Sequence, residues 1–107
     1  MKKIAIAAAV AVSALAFAAQ ASAAVSNFDL LHAARCRGLA ASETLGKMDT
    51  AKIDAMLKTE SSARELAVRT SIVNKMTAAQ KEANAADAAK KEKLLAERSG
   101  ACAAWLN

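Results

Sequence analysis

Apolar positions in this chain fall into one long uncharged run and then three weaker stripes at helical spacing. The run covers Ile4 to Ala19, with Lys2 and Lys3 before it and Gln20 and Ala21-Ser22-Ala23 after it. A basic start, an apolar middle and small residues at the end form the three-part pattern of a secretory signal peptide. An apolar run of about 16 residues is shorter than the roughly 20 needed to span a bilayer. The expectation is a signal peptide over 1–23, cleaved after Ala23, and one small domain over 24–107. No Cys stands at the cleavage position to take a lipid, and no Arg pair precedes the run. The general secretory route is expected, with a periplasmic or secreted product that keeps no membrane span.

The first stripe lies in SNFDLLHAARCRGLAASETLG. Ser26 followed three residues later by Asp29 has capping-box spacing, with Asp in place of the usual Glu or Gln. Leu30, Leu31, Ala34, Ala41 and Leu45 share one broad face, with Phe28 and Leu39 at its edge. Gly46 is a natural residue to follow the helix, since it takes positive φ without steric cost. The second stripe opens with Asp49 as N-cap and Ile53, Met56 and Leu57 as the first buried turns. Leu66, Val73 and Met76 continue it out of phase, and Ser62 with Glu65 repeats the capping spacing. A long helix with an irregularity near Ser61 and Ser62 is predicted. The third helix is predicted from Thr77, which with Gln80 again has capping-box spacing. From Thr77 to Lys93 no hydrophobe exceeds Ala, so Ala79, Ala83 and Ala86 are the positions able to meet a partner helix closely. Large apolar residues return at Leu94, Leu95, Trp105 and Leu106, so anchoring of this helix is concentrated at its end.

Composition supports the same picture. The chain has no Pro, no Tyr and only three Gly, and it is rich in the strong helix formers Ala, Leu, Lys, Glu and Arg. The expected fold class is all-α, a small three-helix bundle with a kink, or a helical hairpin. Removing 23 residues from 107 leaves 84, and losing Lys2 and Lys3 lowers the formal charge from +5 by two, to +3. That modest charge, spread among both signs, argues solubility and against nucleic-acid binding. AAKKEK reads as a solvated helix face, and Glu60 with Arg64 reads as an i,i+4 pair.

The two cysteines, Cys36 and Cys102, are 66 positions apart. In an oxidising compartment two cysteines commonly form one bridge. Closing a loop of that length is worth roughly 4 kcal/mol in the chain-entropy account, a large share of the roughly 5–15 kcal/mol that holds a domain. Gly38 and Gly100, each two residues from a cysteine, are expected to ease the approach, and Trp105 to cover the bridge. Straight antiparallel helices turning near Gly46 and Met76 would leave the two cysteines about 9 Å apart along the axis. Tilt, a kink near Ser61 or unwinding at Ser99-Gly100 has to absorb that offset.

Candidate chemistry is sparse. His32 and Cys36 lie four apart on one helical face. With Cys102 they make a three-ligand set for a thiophilic metal such as Cu(I) or Zn, and Met48, Met56 and Met76 offer further soft sulfur. Met at helical spacing is ordinarily core filling. No C-x-x-C-H, C-x-x-C or G-x-S-x-G run is present, and the lone His leaves a nucleophile without a framework of base and orienter. No catalytic residue and no cofactor is assigned. The leading expectation is a non-enzymatic protein-interaction or envelope accessory module whose partner is another envelope or periplasmic protein. A metal- or small-ligand-binding bundle centred on His32 and Met or Cys sulfur is the alternative, and a periplasmic stress chaperone the third reading.

Overall fold

Ser26 starts the folded chain in the way its spacing predicts. Its Oγ accepts from the Asp29 amide at 3.1 Å, and its own amide donates to the Asp29 carboxylate at 3.2 Å. Such a cap is worth about 1 kcal/mol. The computed structural model describes residues 25–107, so the signal peptide expected over 1–23 lies outside the described residues. Among those described, all regular structure is helical: α1 (Asn27–Ala40), α2 (Ala51–Ser62), α3 (Leu66–Asn84), α4 (Ala88–Ser99) and the single-turn α5 (Ala103–Leu106). The all-α class holds, but the expected three helices are divided further.

Helix α1 is the central element and touches each of the other four, α3 most extensively. Leu30, Ala33, Ala34, Cys36, Gly38, Leu39 and Ala40 are all buried, so its apolar character wraps around the helix rather than forming one stripe. Buried helices have this character. The α1–α3 crossing is tight at Gly38. A Cβ there would lie 2.8 Å from Ala79 Cβ and would collide with the Met76 carbonyl oxygen. Ala79 and Ala83 are buried at this contact and Ala86 is partly buried near it, as the run of small residues predicts. The service expected of Gly38, easing the approach of the cysteines, is instead service to α3.

The first helix ends six residues before Gly46. Ser42 is fully buried, and its hydroxyl donates to Asn84 Oδ1 at 2.7 Å while accepting the Leu45 amide at 3.3 Å. The Ala40 carbonyl accepts from the Met48 amide at 2.8 Å. These bonds turn the chain at Ala41 and carry it back across the end of α3. Gly46 does take positive φ, +90°, but as part of this loop. Phe28, expected at the edge of the buried stripe, is 80% exposed; it stands in the first turn of α1, ahead of the buried positions that begin at Leu30.

Asp49 Oδ1 accepts the Ala51 amide at 2.9 Å and so caps α2 from one position further out than expected. Ile53 and Leu57 are buried and Met56 packs beside them. The irregularity expected near Ser61 is a full break over residues 63–65. The Ser62–Glu65 box does not form; Ser62 Oγ donates to the Thr59 carbonyl at 2.7 Å. Nor does Arg64 pair with the Glu60 carboxylate. It donates to the Glu60 carbonyl at 3.3 Å and reaches Asn27 Oδ1 and the Val25 carbonyl, both at 2.7 Å, tying the break to the start of α1.

The phase slip has a direct cause: in α3 the large hydrophobe that is buried is Ile72, whereas Leu66 and Val73 are 69% and 54% exposed. The chain does not turn at Met76. Thr77 lies inside α3, which runs on to Asn84, because nothing near Thr77 breaks a helix. The turn comes at residues 85–87, where Asp87 Oδ1 accepts the Lys90 amide at 2.8 Å and caps α4. Helix α4 stops at Ser99, and the chain turns through Gly100 into α5. Unwinding after Ser99 is one of the devices that the offset called for, and Cys102 lies beyond it, with its Cα 5.4 Å from that of Cys36.

Candidate functional site

The bridge expected from cysteine count is present. Cys36 and Cys102 are disulfide-bonded with Cα atoms 5.4 Å apart, and both are fully buried. Cys36 comes from the inner face of α1 and Cys102 from the turn before α5, whose amide bonds the Glu97 carbonyl at 3.0 Å. Trp105 packs partly buried against the core that contains the bridge. Its Nε1–H donates to His32 Nδ1 at 3.2 Å, with the two rings nearly perpendicular. An indole nitrogen can only donate. The acceptor Nδ1 is therefore bare, and the neutral imidazole carries its proton on Nε2, 3.7 Å from Cys36 Sγ. The ligand atoms of His32, Cys36 and Cys102 all lie within 4.8 Å of one another. Met56 and Met76 pack on the core, and Met48 lines a separate hollow with Arg98 and Leu106.

A second feature lies between α2 and α3. Helices α2 and α3 diverge from their break and leave an open cleft of about 550 Å³. Leu57, Ile72, Val73 and Met76 supply its apolar lining, and Arg37, Lys58 and Arg69 stand around it. Arg37 binds Asp54 at 2.8 Å, and Thr50 Oγ1 donates to the same carboxylate at 2.8 Å. The Arg37 hydrogen bond outweighs burial and holds the Asp54 carboxyl below its ordinary 3.8. Lys58 and Arg69 have no ion pair among the described residues. Leu66 and Val73 extend the apolar surface along α3 beside Arg69.

Other charges tie the helices together. Arg35 binds Glu97 through Nε at 2.7 Å and Nη2 at 2.9 Å, and Glu82 through Nη1 at 2.8 Å. Lys90 joins Glu82 at 2.9 Å. This network fastens α4 to α1 and α3; Glu97 and Glu82 raise the Arg35 pKa, and Arg35 with Lys90 lowers that of Glu82. Arg98 has carbonyl partners: Gly46 at 2.7 Å and Leu45 at 3.0 Å, with Leu39 more distant at 3.5 Å. Burial lowers its pKa.

Sequence spacing singled out His32, Cys36 and Cys102, and the fold does bring them together. It did not single out the α2–α3 cleft. The one available signal was the phase slip at Leu66 and Val73, which marks apolar residues that the chain's own core does not use. Comparison with protein-family models, with curated proteins and with solved structures returned no match.

Proposed function

We propose that the protein is exported and acts as a non-enzymatic interaction module that docks another envelope protein through the α2–α3 cleft. The N-terminal pattern and the buried disulfide support export to an oxidising compartment. The cleft carries the reading: it combines an apolar floor, exposed Leu66 and Val73, and the basic groups Lys58 and Arg69 without acidic partners. An acidic amphipathic helix complements it, with apolar anchors set between Leu57 and Val73 and carboxylates beside Lys58 and Arg69. Helix-in-groove docking works in this way, and such charge complementarity chiefly sets specificity and association rate.

Titration with an acidic amphipathic peptide, followed by backbone amide shifts, tests the reading. The expected shifts cluster on 57–61 and 69–77, weaken with salt, and fade at least tenfold in affinity for the pair Lys58→Glu and Arg69→Glu. Equal binding by that double variant, or by a charge-reversed peptide, would refute it. A photo-crosslinker at Val73 should capture an envelope partner that an identical probe at Glu92 does not.

A further inference from the structure

The Cys36–Cys102 bridge has a neighbour that a purely structural disulfide does not require. His32 sits one helical turn before Cys36 and points its Nε2 at Cys36 Sγ across 3.7 Å. In a tetrahedral zinc site with Zn–S near 2.3 Å and Zn–N near 2.05 Å, the sulfur-to-nitrogen edge is about 3.6 Å. The Cys36–His32 spacing is thus already that of two ligands on one ion. Cys102 Sγ completes a set whose atoms lie within 4.8 Å of one another. No other group of three His, Cys, Asp or Glu side chains among the described residues is gathered in this way.

We propose that reduction of the Cys36–Cys102 bond converts this end of the bundle into a site for a thiophilic divalent ion, with His32 Nε2, Cys36 Sγ and Cys102 Sγ as ligands and Zn²⁺ as the ion of matching chemistry. The steps balance. A dithiol donor transfers two electrons and two protons to the bridge, leaving two protein thiols and its own disulfide. Zn²⁺ then displaces both thiol protons to solvent. Two thiolates neutralise the ion, and the imidazole contributes a lone pair without changing the charge. Three protein ligands leave a fourth position for water. Softness of the two sulfurs excludes Mg²⁺ and Ca²⁺, which take oxygen ligands.

The ring of His32 has to change tautomer in this step. At present Trp105 holds Nδ1 bare and the proton sits on Nε2. Coordination through Nε2 moves that proton to Nδ1, where it would face the Trp105 Nε1–H. Two donors cannot share that contact, so Trp105 must swing away. Helix α5 has only four residues, and with the bridge open its movement provides the path by which the ion reaches the buried sulfurs. Metal loading therefore replaces one tether with another and frees the indole.

The test uses purified protein reduced with a phosphine, which leaves no competing thiol. Native mass spectrometry should show one Zn²⁺ per reduced chain, lighter by two protons than simple addition, and none on the oxidised chain. Co²⁺ in place of Zn²⁺ should give a thiolate charge-transfer band, and Trp105 emission should shift to the red as Zn²⁺ fills the site. His32→Gln should leave the oxidised fold and disulfide intact, weaken Zn²⁺ binding to the reduced chain at least tenfold, and remove the emission shift. If reduction alone melts the chain, helix should return with one equivalent of Zn²⁺ in far-ultraviolet circular dichroism. No stoichiometric Zn²⁺ on the reduced chain, no return of helix in the melted case, or unchanged affinity and emission shift in His32→Gln would each overturn the proposal.

Discussion

Gly38→Ala sets two effects of known sign against each other. Replacing Gly by Ala inside a helix favours folding by about 0.8–1 kcal/mol on propensity alone. At Gly38 the added methyl would stand 2.8 Å from Ala79 Cβ and would strike the Met76 carbonyl oxygen. Neither obstacle is the free end of a flexible side chain, so α1 and α3 must separate. Over-packing of a dense core typically costs 1–3 kcal/mol, and a clash with two rigid groups belongs at the upper end. The net expectation is destabilisation by about 2 kcal/mol after the propensity gain. For a domain of this size that lowers Tm by about 10 °C. Thermal unfolding followed by circular dichroism, with the disulfide intact, measures it. Gly46→Ala is the reference: nothing lies within 4 Å of the new methyl, and only the +90° φ opposes it, at about 1 kcal/mol. If Gly38→Ala matches or exceeds the wild-type Tm, propensity has won, and α1 and α3 do not approach as closely as described.

The remaining predictions concern the tether and the polar fastenings. Replacing both cysteines by Ser should lower stability by roughly 4 kcal/mol, read as a shift in the urea midpoint, and an unchanged midpoint would mean the bridge constrains nothing. Arg98→Met should cost about 1–3 kcal/mol, because it leaves the Leu45 and Gly46 carbonyls without their donor, and a neutral result would show that water serves them equally well. The Asp54 and Glu82 carboxyls are held below their ordinary 3.8 and 4.5. Their contribution is present above those values and is lost as pH falls through the lower folded-state values. Stability measured by denaturant unfolding should therefore decline on acidification from pH 5, and Arg35→Met should flatten the Glu82 part of that decline. An identical pH profile in Arg35→Met would refute the assignment of that part to the Arg35 pair.

What the sequence disclosed was mostly local or covalent. The Ser26–Asp29 box could be read because both partners lie within one turn, and the bridge because only two cysteines exist to pair. The small-residue face of Ala79 and Ala83 was also visible, although its partner at Gly38 was not. The errors arose where local signals compete with distant ones. Thr77 and Gln80 have capping spacing, but a cap acts only where the chain is already bent, and the bend lies at residues 85–87 with Asp87 available. The end of α1 is decided by Ser42 meeting Asn84, 42 residues away, which no window of local periodicity contains. Arg98 and Arg35 fasten α4 through partners 47 to 62 residues away, beyond the reach of local spacing. At the candidate sites the three metal-ligating residue types were legible from spacing, whereas the cleft depends on how far α2 and α3 diverge after their break.

The Cys36–Cys102 bridge is buried, and we propose that it forms after export. The direct measurement is alkylation of protein taken straight from the cell envelope, followed by intact mass with and without prior reduction and denaturation. The expected result is a chain beginning at Ala24 that takes no label as isolated and two labels after treatment. A chain retaining residues 1–23, or one whose two sulfurs are both labelled as isolated, would contradict it.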